Sequence, residues 1–211
     1  MRTAYTNGKI LNGHEDMTPV TGLAVLVDGE TIAGVIPDGE VSAEYTAVDL
    51  RGGYLMPGLI NLHVHIPGSG KPAKKQADTK KLVKLITSNG LTRKIGMNMC
   101  AFYARTELMS GVTTIRSVGG IQDFDSRLRD QVDAGKAIGP RILAGNMAIS
   151  VPGGHMAGSL AYEAHSPEEA AGFVQKIAQD KPDLIKLMIT GGVLDAEKKG
   201  EPGVCVWPRS W

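Results

Sequence analysis

The sequence has no excess of charge of either sign: 23 Lys and Arg stand against 22 Asp and Glu, for a formal net charge of +1. Proteins that bind nucleic acid or anionic membranes through overall charge carry a basic excess, so neither partner is expected. No apolar run approaches the roughly 18 residues that a membrane-spanning helix needs. Residues 1–8 also lack the apolar core of a secretory signal peptide.

Cysteine and aromatic residues are scarce. The two cysteines, Cys100 and Cys205, are far apart and show no metal-binding or redox spacing. We therefore expect two free thiols and a cytoplasmic protein. Aromatic residues make up 5% of the chain, whereas hydrophobic residues make up 42% and charged residues 21%, as in globular proteins. A chain of 211 residues suffices for one ordinary domain, or for one small and one partial domain.

The first 56 residues read as short strands separated by turns. Asn7-Gly8 lies between two strand-like segments and predicts a β-hairpin. The apolar runs 23–27 and 31–36 follow at the spacing of a small antiparallel sheet. His14 lies in a predicted turn, where a solvated side chain is expected.

Strand and helix patterns alternate in the rest of the chain, which predicts an α/β fold with parallel strands. A strand ends at the His63-Val64-His65 segment. The later predicted helices span 92–109, 123–134 and about 166–179, and the later predicted strands span 112–118, 140–145 and 183–190. Gly111 fits the C′ position of the first of these helices, and Ser166-Pro167 followed by Glu169 fits the start of the last.

His63 and His65 are the first candidate metal ligands. Alternate residues of a strand share a face, so the two imidazoles would project together from the carboxyl end of the strand. Two neutral imidazoles side by side form half of a site for a first-row metal. The alternative is a pair of strand-end histidines that bind backbone groups.

Lys186 is a second candidate, because a lysine inside an apolar strand is costly to bury while charged. Burial favours the neutral amine, which reacts with carbon dioxide to form a carbamate able to bridge two metals. The alternative is a lysine that extends to solvent or pairs with a carboxylate.

Two further segments carry basic or imidazole side chains. Six lysines lie between Lys71 and Lys84; they are either a solvated helix face or a basic lid that favours a carboxylate substrate. The glycine-rich loop 151–158 presents His155 and is not a phosphate-binding loop, because no Gly-Lys-Ser/Thr follows. His165 directly precedes a helix start and is expected to be a helix-entry residue.

Residues 57–65, Pro-Gly-Leu-Ile-Asn-Leu-His-Val-His, closely resemble the first-strand signature of the amidohydrolase superfamily. Residues 185–193 resemble the fourth-strand segment that carries a carboxylated lysine in many members. The resemblance, strongest to the imidazolonepropionase and Xaa-Pro dipeptidase branch, covers roughly residues 55–195. Members of that branch often carry Asp where this chain has Ser117, which leaves the role of a carboxylate there open.

The resemblance implies a partial β-sandwich at 1–56 and, at 57–211, the first four units of a (β/α)8 TIM-type barrel. It implies a divalent metal site, with zinc or a similar ion and one or two ions bound. His63 and His65 would be ligands, and carboxylated Lys186 would bridge to a second ion. It also places His155 near the active site, so Lys186 and His155 are the candidate catalytic residues.

The implied function is metal-dependent hydrolysis of a C–N bond in a small substrate, such as a dipeptide or cyclic amide. Four strands are half of a barrel, and the final residues fit no further unit, so the chain is expected to be an N-terminal fragment. The alternative is a non-catalytic half-barrel or an assembly piece. Its open sheet edges predict a homo-oligomer, and the inward-facing side chains expected to lack partners are Leu59, Ile115, Ile142 and Ile185.

Overall fold

The computed structural model describes residues 1–70 and 78–191. The chain falls into two compact units, Met1–Gly58 and Leu59–Trp211, which are described separately. Several residues named above lie outside the described residues: Lys71, Cys205 and residues 192 and 193, together with Lys74 and Lys75 of the lysine-rich segment. Within the described ranges, no helix combines the length and the apolar character needed to cross a membrane.

The first unit consists of short strands and one 3-10 turn at Asp38–Glu40. Its strands are β1 Arg2–Thr6, β2 Lys9–Ile10, β3 Leu23–Asp28, β4 Thr31–Pro37, β5 Thr46–Asp49 and β6 Tyr54–Leu55. Four of them form a sheet in the order β4-β3-β1-β5, with β1 antiparallel to β3 and parallel to β5. The remaining two, β2 and β6, pair in parallel.

The hairpin predicted at Asn7-Gly8 is wrong. β1 lies between β3 and β5, whereas β2 pairs with β6, so the turn carries the chain from one sheet to another. Groups from later in the unit hold it: Asn7 Nδ2 donates to Asp49 Oδ1 at 2.8 Å, and the Gly52 amide donates to the Asn7 carbonyl at 2.7 Å. Gly8 is needed because a Cβ at that position would collide with the Leu50 side chain.

The second unit is a mixed α/β fold whose strands all pair in parallel. Its strands are β7 Leu59–Val64, β8 Val112–Ser117, β9 Arg141–Leu143, β10 Ala148–Ser150, β11 Ala161–Glu163 and β12 Leu187–Met188. Its helices are α1 Thr79–Ile86, α2 Gly90–Met109, α3 Phe124–Asp133 and α4 Pro167–Ala178.

The parallel strands form two three-stranded sheets. One sheet has the order β7-β8-β9 and another the order β11-β10-β12. Residues 144–147 connect β9 to β10. Within this connection, the Ala144 carbonyl accepts a hydrogen bond of 2.8 Å from the Asp183 amide. Along the chain, α1 and α2 lie between β7 and β8, α3 lies between β8 and β9, and α4 lies between β11 and β12.

The predicted helices are confirmed to within two residues at their ends, because their caps are encoded locally. Asn89 caps α2 through a reciprocal capping box with Thr92, and Gly111 follows with a φ of +94°. Ser166 Oγ accepts from the Glu169 amide at 3.2 Å at the start of α4. The fourth predicted strand is shorter than expected, since only Leu187 and Met188 form β12.

The main core lies between β7–β9 and helices α2 and α3. Ile115 and Ile142 are 0% and 2% exposed and belong to the same buried cluster as Ala104 and Leu128. Ile185 packs against a second cluster that includes Ile177 of α4. The expectation that these three isoleucines face inward without partners is therefore wrong, because helices already cover them.

Leu59 remains 49% exposed, as expected for a side chain without a covering element. Cys100, in contrast, is a free and fully buried thiol on α2. Burial raises the pKa of its thiol to about 12, which keeps it protonated and unreactive at neutral pH.

Candidate functional site

His63 and His65 lie at the carboxyl end of β7, where the sequence predicts them. His63 is exposed and His65 is partly buried. Their ring centroids are 5.3 Å apart with an interplanar angle of 67°. The His63 amide donates to Asn61 Oδ1 at 3.2 Å, which fixes the backbone just before the pair. The strand thus brings the two imidazoles together as neighbours.

The orientation of His65 is set by the loop after β8. His65 Nδ1 lies 3.0 Å from the Gly119 carbonyl oxygen. Because a carbonyl only accepts hydrogen bonds, Nδ1 carries the hydrogen and Nε2 keeps its lone pair. Gly119 has a φ of +134°, and a Cβ there would lie 3.2 Å from Met188 Cε and 3.4 Å from the His65 ring. Glycine therefore provides both the backbone conformation and the space for this contact.

The loop that carries Gly119 rests on a buried polar network. Ser117 Oγ donates to Asp125 Oδ2 at 2.6 Å, and the Asn146 amide donates to the same oxygen at 3.1 Å. The Gly120 amide in turn donates to the Asn146 carbonyl at 2.7 Å. Ser117, Asp125 and Asn146 are each at most 1% exposed. Helix α3 thus brings a carboxylate to the end of β8, next to the serine.

Asp125 is a residue that the sequence reasoning missed. Its Oδ1 is buried without a hydrogen-bond partner among the described residues. Burial raises the pKa of its carboxyl group, while the hydrogen bonds from Ser117 and Asn146 and the electrostatic interaction with His65 lower it. A signal was present: Asp125 falls between Phe124 and Leu128 on the apolar stripe of α3, a position that normally takes a hydrophobic residue.

Lys186 and His155 meet the two histidines at one cavity. A cavity of about 350 Å³ is lined by side chains of His63, His65, His155 and Lys186 and by residues 187–191. The His155 amide donates to the Thr190 carbonyl at 2.8 Å, which ties the glycine-rich loop to the segment after β12. Lys186 directly precedes β12 and is partly buried. The structure therefore places all four sequence-predicted site residues around the same space.

Electrostatics favour the neutral form of His63. Partial burial lowers the pKa of its imidazole most, and Lys186, His65, Arg116 and His155 lower it further. A neutral imidazole is the form that binds a metal. His63 and His65 thus offer two suitable nitrogen ligands.

The donor set fits half of a metal centre. Across residues 1–70 and 78–191, no group of three or more His, Cys, Asp or Glu side chains is arranged to hold a metal ion. A site with His63 and His65 needs a further donor, and carboxylated Lys186 would supply oxygen atoms from the wall of the same cavity. His155 does not complete such a group among the described residues.

Of the six lysines that form either a solvated helix face or a basic lid, three lie within the described residues and are exposed. Lys80, Lys81 and Lys84 lie on α1, and Lys81 pairs with Asp78 at 3.2 Å on the exposed helix start. This contact is that of a solvated helix face. His165, as predicted, lies at the entry of α4, where its amide donates to Glu169 Oε2 at 2.8 Å.

Comparison with known proteins identifies relatives of the second unit. The model of the amidohydrolase family matches residues 54–204. An adenine deaminase from Serratia proteamaculans is 29% identical over 142 residues, which are 66% of this chain and 20% of that protein. The chain thus spans about a fifth of the length of this curated relative.

Solved structures resemble the fold over nearly the whole chain. A candidate prolidase from Bifidobacterium longum is 32% identical with a TM-score of 0.69, covering 91% of this chain and 42% of its own. A Xaa-Pro dipeptidase with methionine bound in its active site is 26% identical with a TM-score of 0.71, covering 92% of this chain and 48% of its own. The chain spans about half the length of these two proteins. With the family model matching most of its residues and two hydrolases sharing its fold, the chain belongs to the amidohydrolase family.

Proposed function

We propose that the chain carries the metal-binding half of an amidohydrolase that hydrolyses a C–N bond in a small, dipeptide-like substrate. The observation that supports this best is the cavity of about 350 Å³ shared by His63, His65, His155 and Lys186. The succession of parallel strands β7, β8, β9 with β10, and β12 supports the interpretation of residues 57–211 as the first four units of a (β/α)8 barrel. The strands of residues 1–56 would form the partial β-sandwich.

His63 and His65 would hold a divalent metal such as zinc, since members of the family generally use divalent metals. When bound, such a metal polarises a carbonyl group and makes water more acidic. The residues of the chain prepare that site: the Gly119 carbonyl fixes the tautomer of His65, and desolvation lowers the pKa of the His63 imidazole. Both effects keep ring nitrogen lone pairs available.

Lys186 would act as a carbamate. Its neutral Nζ attacks the carbon of carbon dioxide, an N–C bond forms, and a proton leaves the nitrogen for solvent. The product is an anion with two oxygen atoms, which adds the negative charge that the described cavity wall otherwise lacks. The alternative stays open: an uncarboxylated Lys186 would extend to solvent.

His155 would contact the substrate. An imidazole N–H can donate to a carbonyl or carboxylate oxygen, and the bond from its backbone to Thr190 holds the residue at the cavity. The general base that takes a proton from water would be the aspartate that the family resemblance places after the eighth strand. Among the described residues that line the cavity, none is an aspartate or glutamate.

The second candidate function is a non-catalytic half-barrel that serves as an assembly piece. The exposure of Leu59, Ile60 and Leu62 on β7, at 49%, 63% and 51%, favours it. Assay of acyl-proline dipeptides with zinc tests whether the chain is active by itself. We expect no turnover by the monomeric 211-residue chain, because no carboxylate is among the described residues that line the cavity. Metal-dependent turnover by a demonstrated monomer would contradict this.

Carbon-13 NMR tests the proposed role of Lys186. The chain is supplied with zinc and carbon-13-labelled bicarbonate, and a carbamate signal is sought. We expect it in the unchanged chain and in the control variant Lys136→Arg, whose lysine is exposed. It should be absent from Lys186→Arg and weaker without zinc. Absence of the signal from the zinc-loaded, unchanged chain would refute the carbamate.

A further inference from the structure

A second cavity adjoins the first at two shared residues. It has a volume of about 250 Å³, and His65 and His155 line both cavities. Pockets for drug-sized ligands measure roughly 300–1,000 Å³, so a space of this size suits one side chain of a substrate. The two histidines therefore separate a polar space, where Lys186 lies, from a smaller neighbouring space.

The wall of the second cavity is almost entirely apolar. Leu82, Val83 and Ile86 of α1 form one side, and Met156 and Leu160 of the loop after β10 lie on its lining as well. A charged or strongly polar group placed here would lose its hydration without gaining partners. The cavity selects an apolar group for this reason.

The apolar wall is anchored in the core and is already formed. Val83, Ile86 and Leu160 pack against the main buried cluster. Gly96 of α2 permits the close approach of α1, because a Cβ there would lie 2.5 Å from Ile86 Cγ2. Little rearrangement is then needed for a side chain to enter, which favours binding.

We propose that this cavity, named the α1 pocket, binds an aliphatic side chain of the substrate, of about the size of leucine or methionine. The side chain belongs to the residue next to the C–N bond, so that the bond lies beside His65 and His155 in the polar cavity. The role as a substrate subsite rests on the proposed function, whereas the affinity for an aliphatic group does not.

The test uses two neutral probes, N-acetyl-L-leucinamide and N-acetylglycinamide, with the metal-free full chain. Methyl signals of Val83, Ile86, Met156 and Leu160 are followed by NMR during titration. We expect saturable shifts with the leucine probe and none of comparable size with the glycine probe. Equal responses to both probes, or no response to either, would overturn the proposal, and this comparison requires no variant.

A matched pair of variants on α1 sharpens the test. Leu82 lines the pocket and is 46% exposed, whereas Leu85 is 61% exposed and does not line it. We expect Leu82→Asn to weaken binding of the leucine probe roughly fivefold or more and Leu85→Asn to leave it unchanged. Equal effects of the two variants would overturn the pocket. Leucine binding without any zinc binding would retain the pocket and reject the proposed function.

Discussion

At the scale of single residues, the buried carboxyl group of Asp125 organises the loop that orients His65. It accepts hydrogen bonds from Ser117 and from the Asn146 amide. Ser117 lies two residues before Gly119, and the Asn146 carbonyl accepts a hydrogen bond from the Gly120 amide. Where relatives often place an aspartate on the strand, this chain has Ser117 and receives a carboxyl group from α3. Removal of that group should therefore affect stability and the position of His65 together.

Asp125→Ala should lower the free energy of unfolding by about 1–3 kcal/mol for each of the two buried donors left without a partner. Asp125→Asn should cost less, because its amide oxygen can still accept from Ser117 and Asn146. Urea unfolding followed by circular dichroism measures both. Equal losses for the two variants would contradict the assignment of these hydrogen bonds.

The same pair of variants has a defined pH dependence. Burial, the largest cause, raises the pKa of Asp125 in the folded state. A raised pKa means that the contribution of this group to stability is present below its unfolded pKa and is lost as pH rises through the folded pKa. Asparagine does not ionise, so Asp125→Asn should gain stability relative to the unchanged chain as pH rises from about 4, the unfolded pKa of Asp, through the higher folded pKa. A relative stability that falls over this range would contradict the shift.

At the scale of elements, glycine residues in two helices should respond to alanine in opposite ways. Gly96 on α2 faces Ile86 and Phe124, and an added Cβ would lie 2.5 Å and 2.9 Å from their atoms. Gly172 on α4 has no atom within 4 Å of an added Cβ. Neighbouring side chains thus occupy the space beside Gly96, whereas the space beside Gly172 is open.

Gly96→Ala should lower the free energy of unfolding by about 1–3 kcal/mol, because the core must shift to admit the methyl group. Gly172→Ala should raise it by roughly 0.5–1 kcal/mol through helix propensity alone. Thermal and urea unfolding of both variants measure the difference. A stabilised Gly96→Ala variant would mean that α1, α2 and α3 do not pack as described.

The helices were predictable from the sequence because their boundaries depend on local groups, such as the Asn89–Thr92 box and Ser166. The hairpin at Asn7-Gly8 was not, since its outcome depends on Asp49 and Leu50, some 40 residues away. The sequence also did not indicate which face of their strands buries Ile115 and Ile142. A strand pattern gives two faces but does not say which one the helices cover.

The candidate site was also predictable from the sequence in part. His63, His65 and Lys186 stood out through residue type and position, and His155 through the family resemblance. The structure brings all four to one cavity. Asp125 and the Gly119 carbonyl did not stand out, because a helix residue and a backbone oxygen acquire their roles only through tertiary contacts.

At the scale of the whole molecule, β7 lies at one end of the β7-β8-β9 sheet and exposes Leu59, Ile60 and Leu62. An exposed apolar edge strand recruits other chains. We expect self-association of the 211-residue chain at micromolar concentration, measured by analytical ultracentrifugation. Ile60→Lys should weaken association roughly tenfold.

The matched control for association is Ile138→Lys. Ile138 is 65% exposed, much like Ile60 at 63%, but lies in a loop before β9. The control should associate like the unchanged chain. If both variants associate equally, the β7 edge is not the interface.

The most direct test of the central claim is a zinc titration by calorimetry with three forms of the chain. We expect the unchanged chain to bind zinc, more weakly than a complete site, because ligand number and geometry set affinity. His63→Ala/His65→Ala should abolish binding. His14→Ala/His165→Ala, which removes two exposed histidines elsewhere, should bind like the unchanged chain. Equal zinc binding by all three forms would contradict a metal site at the end of β7.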